Sequence, residues 1–372
     1  MKSAREVAEA KEEIGEVGSD GTKTLSDDQT LVPNGDAAAA ATPLPATNGT
    51  DDGTGGQKVA ETEKSTPKLV NVDKANWMAA LPAQLQMKPI NQIAIPGTHD
   101  SFTYSLDKNG PIGNDEPGSL QVFGACVKGI VYKWSVTQDW KVKEQLENGI
   151  RYFDFRLSHP DKPQSADDVR VVHGLYGANI WELCREINDF LDEHPREVVL
   201  LDWNHFYNFT PELHQTAFDT LQNLFGAKLA PREEVAHQSL QYLWSRAYQV
   251  LVFYQTDAVE PPLAFWNKYS ISSPWANTDQ TSVLLQFLTE KLKNRSKQEF
   301  FVTQGLQTPE AKDILAHLAG SLKESLALPC TQAVVKWLQE NKSLFKPLLN
   351  VAMCDFANER DFVDVVLGYN FS

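Results

Sequence analysis

Two histidines, an arginine and several carboxylates stand at the ends of apolar runs in this chain. His99 and Asp100 follow Ile93-Ala94-Ile95, inside the stretch Ile95-Pro96-Gly97-Thr98-His99-Asp100-Ser101. Asp154 and Arg156 close the run Tyr152-Phe153-Asp154-Phe155-Arg156, and His173 follows Val171-Val172. Asp202 and Asn204 follow Leu200-Leu201, Tyr254 and Gln255 follow Val252-Phe253, and Asp355 follows Val351-Ala352-Met353-Cys354. Two imidazoles and a guanidinium suit cleavage of a phosphodiester by an internal hydroxyl. One imidazole takes the proton of the nucleophile and the other protonates the leaving oxygen. The guanidinium holds a non-bridging phosphate oxygen as charge develops. A buried carboxylate bonded to the base imidazole fixes its tautomer and orientation.

Taken singly, each residue has an ordinary structural reading. His173 would be a packing residue beside Gly174, Asp154 and Arg156 an ion pair, and Asp355 a turn or cap residue before Ala357. Their order and shared placement at strand ends favour chemistry. Period-two alternation puts Asp154 and Arg156 on one side of their strand and Phe153 and Phe155 on the other. A buried arginine needs carboxylates, and Asp154 and Asp100 are the candidates. A metal site competes with this reading. Zinc spacing such as HExxH or clustered Cys and His is absent. Calcium would draw on Asp100, Asp154 and Asn204, but Arg156 takes the place a divalent cation would fill, so no metal or cofactor is expected. Among the remaining histidines, His205 beside Asn204 stays in view; His159, His194, His214, His237 and His317 read as surface or helix residues.

These groups need strands to carry them. β-rich runs fall at 92–95, 150–155, 169–172, 198–201, 249–253, 300–302 and 348–353, with Pro96 and Gly97 expected to break the first. Helical segments alternate with them: one capped by Asn179 and stopped by Pro195, one opened by Thr210-Pro211 and ended at Gly226, and two more at 282–293 and 331–341. Seven to eight strands with helical spacers over about 295 residues predict an α/β fold of the (β/α)8 barrel type. A doubly wound sheet is the alternative, weakened because no GxGxxG follows a strand. In a barrel the C-terminal strand ends converge on one face, which gathers the polar residues above.

Residues 1–76 differ in texture. They contain no aromatic residue, whereas all 37 aromatics lie at or after Trp77, and they carry 14 acidic against 8 basic residues. The segment lacks the apolar surface to offset its chain entropy and is expected to be a disordered tail. The folded unit is then 77–372. The net charge of −15, from 34 basic and 49 acidic residues, argues against nucleic acid and against a polybasic membrane patch. Cys126, Cys184, Cys330 and Cys354 form no CxxC pair and are expected to be reduced thiols. Neither a signal peptide nor a transmembrane helix is expected, since residues 1–19 have no apolar core and no run of about 18 apolar residues occurs. The expected setting is cytoplasmic, with peripheral contact to membrane. Trp134, Trp140, Trp266 and Trp275 are candidates for interfacial insertion.

The segments around His99, Arg156, His173, Asp202 and Asp355 together resemble the phosphatidylinositol-specific phospholipase C X-domain. The similarity runs from about residue 77 to the end. It extends to the stand-alone eukaryotic X-domain proteins through Asp202-Trp203-Asn204-His205-Phe206-Tyr207. The resemblance implies a distorted TIM barrel with His99 as general base, His173 as general acid, Arg156 as phosphate clamp and Asp355 as the partner orienting His99. It implies that Asp100 shapes the phosphate site beside Arg156 and that Asp154 is an acidic site residue. Calcium-dependent animal enzymes have an acidic residue where this chain has Arg156 and an asparagine where it has Asp100, so the chain is similar to the metal-independent bacterial type. The implied partner is a phospholipid at a membrane surface. One departure stands out. The bacterial enzymes hold inositol with basic residues on mid-barrel strands, and here those strands carry no Lys or Arg. Asn204, Tyr254 and Gln304 are the candidate replacements. A lipid-head-group binding module and a metal-dependent glycerophosphodiesterase barrel are the rival readings.

Overall fold

The computed structural model describes residues 72–115 and 125–371. The expected tail therefore lies outside the described residues as far as 71. Residues 72–76 belong to the folded body. Asp73 caps the short turn Lys74–Asn76, and Arg151 reaches up to it. The Arg151 guanidinium donates to Ala75 O (2.8 Å) and, through Nε, to Glu197 Oε2 (2.9 Å). Glu197 in turn accepts from the Met78 amide at 3.1 Å. Both side chains are fully buried. Removing one member would strand a buried charge, an effect of about 3–5 kcal/mol.

Among the described residues ten strands form the sheet: β1 (Ile95–Thr98), β2 (Tyr152–Ser158), β3 (Arg170–His173), β4 (Leu175–Asn179), β5 (Val199–Tyr207), β6 (Val250–Tyr254), β7 (Trp266–Asn267), β8 (Ile271–Ser272), β9 (Phe300–Gly305) and β10 (Val351–Cys354). Eight of them run parallel in the order β7-β6-β5-β2-β1-β10-β9-β8 and curl into a nearly closed barrel. No ladder joins β7 to β8 among the described residues, and the turn Lys268–Ser270 spans that seam. The expected barrel is present, and the doubly wound alternative is excluded.

Two local expectations change. Pro96 and Gly97 lie inside β1 and do not break it. The Pro96 carbonyl still accepts from the Arg151 amide (3.0 Å), and Gly97 lets the strand lie against the Tyr152 ring, where an added Cβ would meet a ring carbon at 2.7 Å. The run at 169–172 is not a barrel stave. It is β3, which pairs antiparallel with β2 and β4 as a hairpin at the barrel mouth.

The helical signals hold. Asn179 accepts from the Trp181 amide (2.9 Å) to open Ile180–Glu193, and Thr210 accepts from Leu213 N to open Pro211–Phe225. Thr281–Lys293 and Leu328–Glu340 follow. Alternation on the staves sends Phe155 and Trp203 outward into an aromatic layer beneath these helices, and a one-residue slip in β5 brings Phe206 to the same side. Cys184, Cys330 and Cys354 are buried free thiols. No helix among the described residues is long and apolar enough to cross a membrane.

Candidate active site

The C-terminal strand ends surround a cavity of about 670 Å³. His99 enters it from the end of β1. Its Nδ1 lies 2.7 Å from Asp355 Oδ1, at the end of β10, beside which β1 is hydrogen-bonded. A carboxylate accepts, so Nδ1 carries the proton and Nε2 faces the cavity. The His99 peptide is pinned as well: Gln138 Nε2 donates to His99 O (3.0 Å) and Cys354 O (2.9 Å), and Thr137 Oγ1 donates to His99 O (3.0 Å). The backbone is left-handed at Asp100 (φ 40°) and at Phe356 (φ 49°), directly after His99 and Asp355. Non-glycine residues held there cost about 1–3 kcal/mol each, which the pinning network offsets.

His173 closes β3 in the hairpin turn. Its Nδ1 donates to the Ser135 carbonyl (2.6 Å) at the end of the helix Ala125–Ser135. The turn passes so near that helix that Gly174 (φ 69°) has no room for a Cβ, which would meet Ser135 Oγ at 2.4 Å. The two imidazoles stand 6.3 Å apart, edge to face at 78°. Both Nε2 atoms point at one oxygen, Asp100 Oδ2, at 3.3 Å from His99 and 3.4 Å from His173.

Arg156 completes the centre. Its Nε lies 3.5 Å from Asp100 Oδ1. Arg156 Nε and Asp100 Oδ2 are buried without a hydrogen-bond partner, a pairing deficit that marks a place for a ligand. Asp154 is not in ion-pair contact with Arg156. Its Oδ2 accepts from the Asp100 amide (2.9 Å) and its Oδ1 from Asn204 Nδ2. It braces the turn that presents His99 and Asp100. Burial would lower the His99 pKa, but the carboxylates of Asp100 and Asp355 override it and push it up to about 9. Burial would raise that of Asp100, but His99, His173 and Arg156 hold it well below the usual carboxylate range. His99, Asp100 and Asp154 place one donor atom each within 4.8 Å of one another. Only two of the three are carboxylates, and the Arg156 guanidinium lies against one of them, Asp100.

The cavity has two further walls. The polar one carries Asn204, His205, Gln255, Ser273 and Gln304. Gln304 is fixed by Nε2 donating to Ser273 O (2.8 Å). Tyr254, expected here, is elsewhere: it is fully buried, with its hydroxyl on His214 Nδ1 (2.8 Å) in the aromatic layer. Alternation on β6 sends Tyr254 out and Gln255 in. Behind Gln255 sits buried Asp202, bonded to Tyr152 Oη (2.6 Å) and Gln255 Nε2 (2.5 Å), its pKa pushed up to about 7 by burial and the Asp154 charge. The apolar wall is formed by Val127, Ile130, Val131 and Trp134, facing Ile314 and Leu322. Of the candidate interfacial tryptophans, Trp134 and Trp266 are buried and Trp140 is half-buried against the core. Trp275 alone of the four is exposed (53%), at the cavity rim.

Sequence reasoning therefore assembled His99, Asp100, Asp154, Arg156, His173, Asp355, Asn204 and Gln304 at this cavity. Gln255, named with Tyr254 at the end of its strand, takes the polar wall in place of Tyr254, while Ser273 and the Ser135 carbonyl, Thr137 and Gln138 that hold the histidines carry no signal in the sequence. Those residues lie in loops or helix ends that show no pattern.

No family model matches the chain. Curated relatives do. The chain is 37% identical over 304 residues to mouse PI-PLC X domain-containing protein 3, covering 80% of this chain and 94% of that protein. It is 38% identical over 309 residues to mouse PI-PLC X domain-containing protein 2, covering 82% and 90%. It is 32% identical over 330 residues to human PI-PLC X domain-containing protein 1, covering 85% and 98%. Among solved structures, phosphatidylinositol-specific phospholipase C from Listeria monocytogenes shares the barrel with a TM-score of 0.58 at 17% identity, over 80% of this chain and 99% of that one. The Staphylococcus aureus enzyme gives a TM-score of 0.58 at 17% identity, over 80% and 98%. The chain belongs to the PI-PLC X domain-containing protein family.

Proposed function

We propose that this protein cleaves phosphatidylinositol, or a closely related phospholipid, between phosphate and diacylglycerol without a metal ion. The observation that carries this reading is the pair of imidazole Nε2 atoms converging on the Asp100 carboxylate beside the half-buried Arg156 guanidinium. His99 takes the proton of the inositol 2-hydroxyl as its oxygen attacks phosphorus. Arg156 stabilises the charge on the non-bridging oxygen. The bond from phosphorus to the glycerol oxygen breaks, and His173, protonated on Nε2, gives that oxygen its proton. The products are diacylglycerol and a cyclic inositol phosphate. Water then opens the ring with the two histidines in exchanged roles.

The cavity supports the direction of the lipid. His173 stands against the helix Ala125–Ser135 that supplies the apolar wall, so the leaving diacylglycerol departs on that side. The inositol ring takes the polar wall. The reaction would take place at a membrane surface, with exposed Trp275 at the cavity rim meeting it. The test is release of inositol phosphate from phosphatidylinositol vesicles in EDTA. Release that survives chelation is the expected result. Release only on adding calcium would overturn the metal-independent reaction, and none under any condition would favour a head-group binding module.

A further inference from the structure

The ladder between β2 and β5 slips once. Asp154 pairs with Asp202 and Phe155 with Trp203, but Arg156 pairs with His205, so Asn204 is an extra residue on β5. Regular alternation would send His205 outward with Trp203. The bulge returns it to the cavity side, level with Arg156, and leaves Asn204 there too. Bulges beside active sites re-aim side chains in this way. The ring is then oriented by its neighbours. Asn204 Nδ2 donates to Asp154, so Asn204 Oδ1 is the atom available to accept, and His205 Nδ1 lies 2.7 Å from it. His205 Nδ1 therefore carries the proton, and Nε2 of the neutral ring holds a lone pair.

We propose that His205 binds the head group, its Nε2 accepting a hydrogen bond from a ring hydroxyl of an uncharged polyol in the polar half of the cavity. This rests on the reading of the protein as a phosphatidylinositol-cleaving enzyme and names how it holds inositol with no Lys or Arg on β5 or β6. The polarity is the reverse of what a basic residue supplies: a lysine or arginine donates to hydroxyl oxygens, whereas this imidazole accepts from a hydroxyl. Partial withdrawal from solvent and the nearby Arg156 charge lower the His205 pKa and keep the ring in the accepting form.

The test is calorimetric binding of myo-inositol to the full chain, with phosphatidylinositol turnover measured alongside. His205→Ala is expected to weaken myo-inositol binding about three- to tenfold, the range of one ordinary hydrogen bond. KM should rise by the same factor with kcat within about twofold. His205→Gln, whose Oε1 accepts, should recover part of the loss, and the donor-only His205→Lys should not. The residue is exposed at the cavity mouth, and an unchanged melting temperature confirms that the variants fold. Equal binding in wild type and His205→Ala overturns the proposal, as does tighter binding by His205→Lys. So does a fall in kcat at constant KM. If myo-inositol binding depends on His205 while vesicles yield no inositol phosphate, the cleavage reading fails and this one stands. If vesicles are cleaved while binding is indifferent to His205, this one fails and the cleavage reading stands.

Discussion

The phosphate centre and the apolar wall of the cavity are built in different ways. At the phosphate centre every charged group is buried or half-buried and held by another: His99 by Asp355, His173 by the Ser135 carbonyl, Asp100 by its amide on Asp154. Asp355 stands just past β10 and Asp154 on β2, the strands that flank β1, so the ladder sets their distances, while His173 leans on the end of the neighbouring helix. The apolar wall stands on a helix and on the segment from Leu306 to Leu322. Ile130, Trp134, Leu322, Ala327 and Phe356 form a small hydrophobic cluster separate from the main core, tied to the rest by ion pairs such as Lys323 with Glu359 at 3.1 Å. A directional site needs angles and distances set by covalent and hydrogen-bonded neighbours. A lipid-facing surface needs only area, and dispersion contacts supply that without a fixed geometry.

The strongest way to break this contrast is at the two imidazoles. His99→Ala and His173→Ala should each lower kcat on phosphatidylinositol by about 10²–10⁴-fold, the usual contribution of a positioned acid or base, with vesicle binding unchanged. Steady-state turnover alongside vesicle sedimentation reads both. Loss of binding in step with turnover would mean that the histidines serve the lipid surface and that the two walls are not separate in function.

A smaller effect is expected at Asp355. The carboxylate orients His99 and raises its pKa, so Asp355→Asn does two opposing things. It loosens the base, and it moves the acid limb of kcat/KM to lower pH. The limb belongs to the free enzyme, near pH 9 in wild type, where His99 loses its proton. The loss should be on the order of ten- to a hundredfold at pH 9 and less at pH 6, where the variant has more neutral base. A parallel fall at all pH values would show that Asp355 only holds geometry.

The same contrast explains what was legible in the sequence. His99, Arg156 and Asp355 could be read because each lies at the end of a stave, and a strand end in a barrel has one destination; His173 reaches the same cavity from the hairpin strand β3 at the barrel mouth. Asp154 could be placed but not given its partner, since the amide of Asp100 reaches it only through a left-handed turn that no spacing announces. Tyr254 was misplaced because side chains alternate on a strand: where strand phase is read one residue off, core and cavity exchange. The bulge at Asn204 is silent in the sequence for the same reason. The apolar wall was invisible, because Val127, Ile130 and Val131 look like any helical core stripe until the barrel shows what they face. β7 and β8, at two residues each, are too short to leave a period.

On the apolar wall the expected effect is modest and depends on the substrate. Val131→Ser removes two methyl groups and adds a hydroxyl beside the leaving lipid. At about 0.8 kcal/mol for each methyl group in contact with the lipid, KM for a monomeric short-chain phosphatidylinositol should rise about four- to fifteenfold. Opening of the water-soluble cyclic inositol phosphate, which carries no lipid, should keep its kcat/KM. Equal losses on both substrates would assign Val131 to the support of His173 and erase the distinction between the walls.

The smallest effect lies behind the polar wall and is read in stability. Asp202 has a folded pKa near 7, well above its ordinary value of 3.8. Between these values the unfolded chain gives up the proton while the folded one keeps it, so stability falls as pH rises from about 4 to 7. His99 acts in a later window. Its pKa is raised from 6.5 to about 9, so its contribution is complete below 6.5 and is lost as pH rises through 9. Melting curves of Asp202→Asn should flatten the first window and leave the second, and those of Asp355→Asn should narrow the second, since Asp100 still raises the His99 pKa, and leave the first. The two windows can separate only if the polar wall and the phosphate centre titrate independently, although Asp154 lies close enough to act on both Asp202 and His99. If Asp202→Asn also shifted the later window, Asp154 would be transmitting charge between them, and the polar wall would have to be counted as part of the phosphate centre.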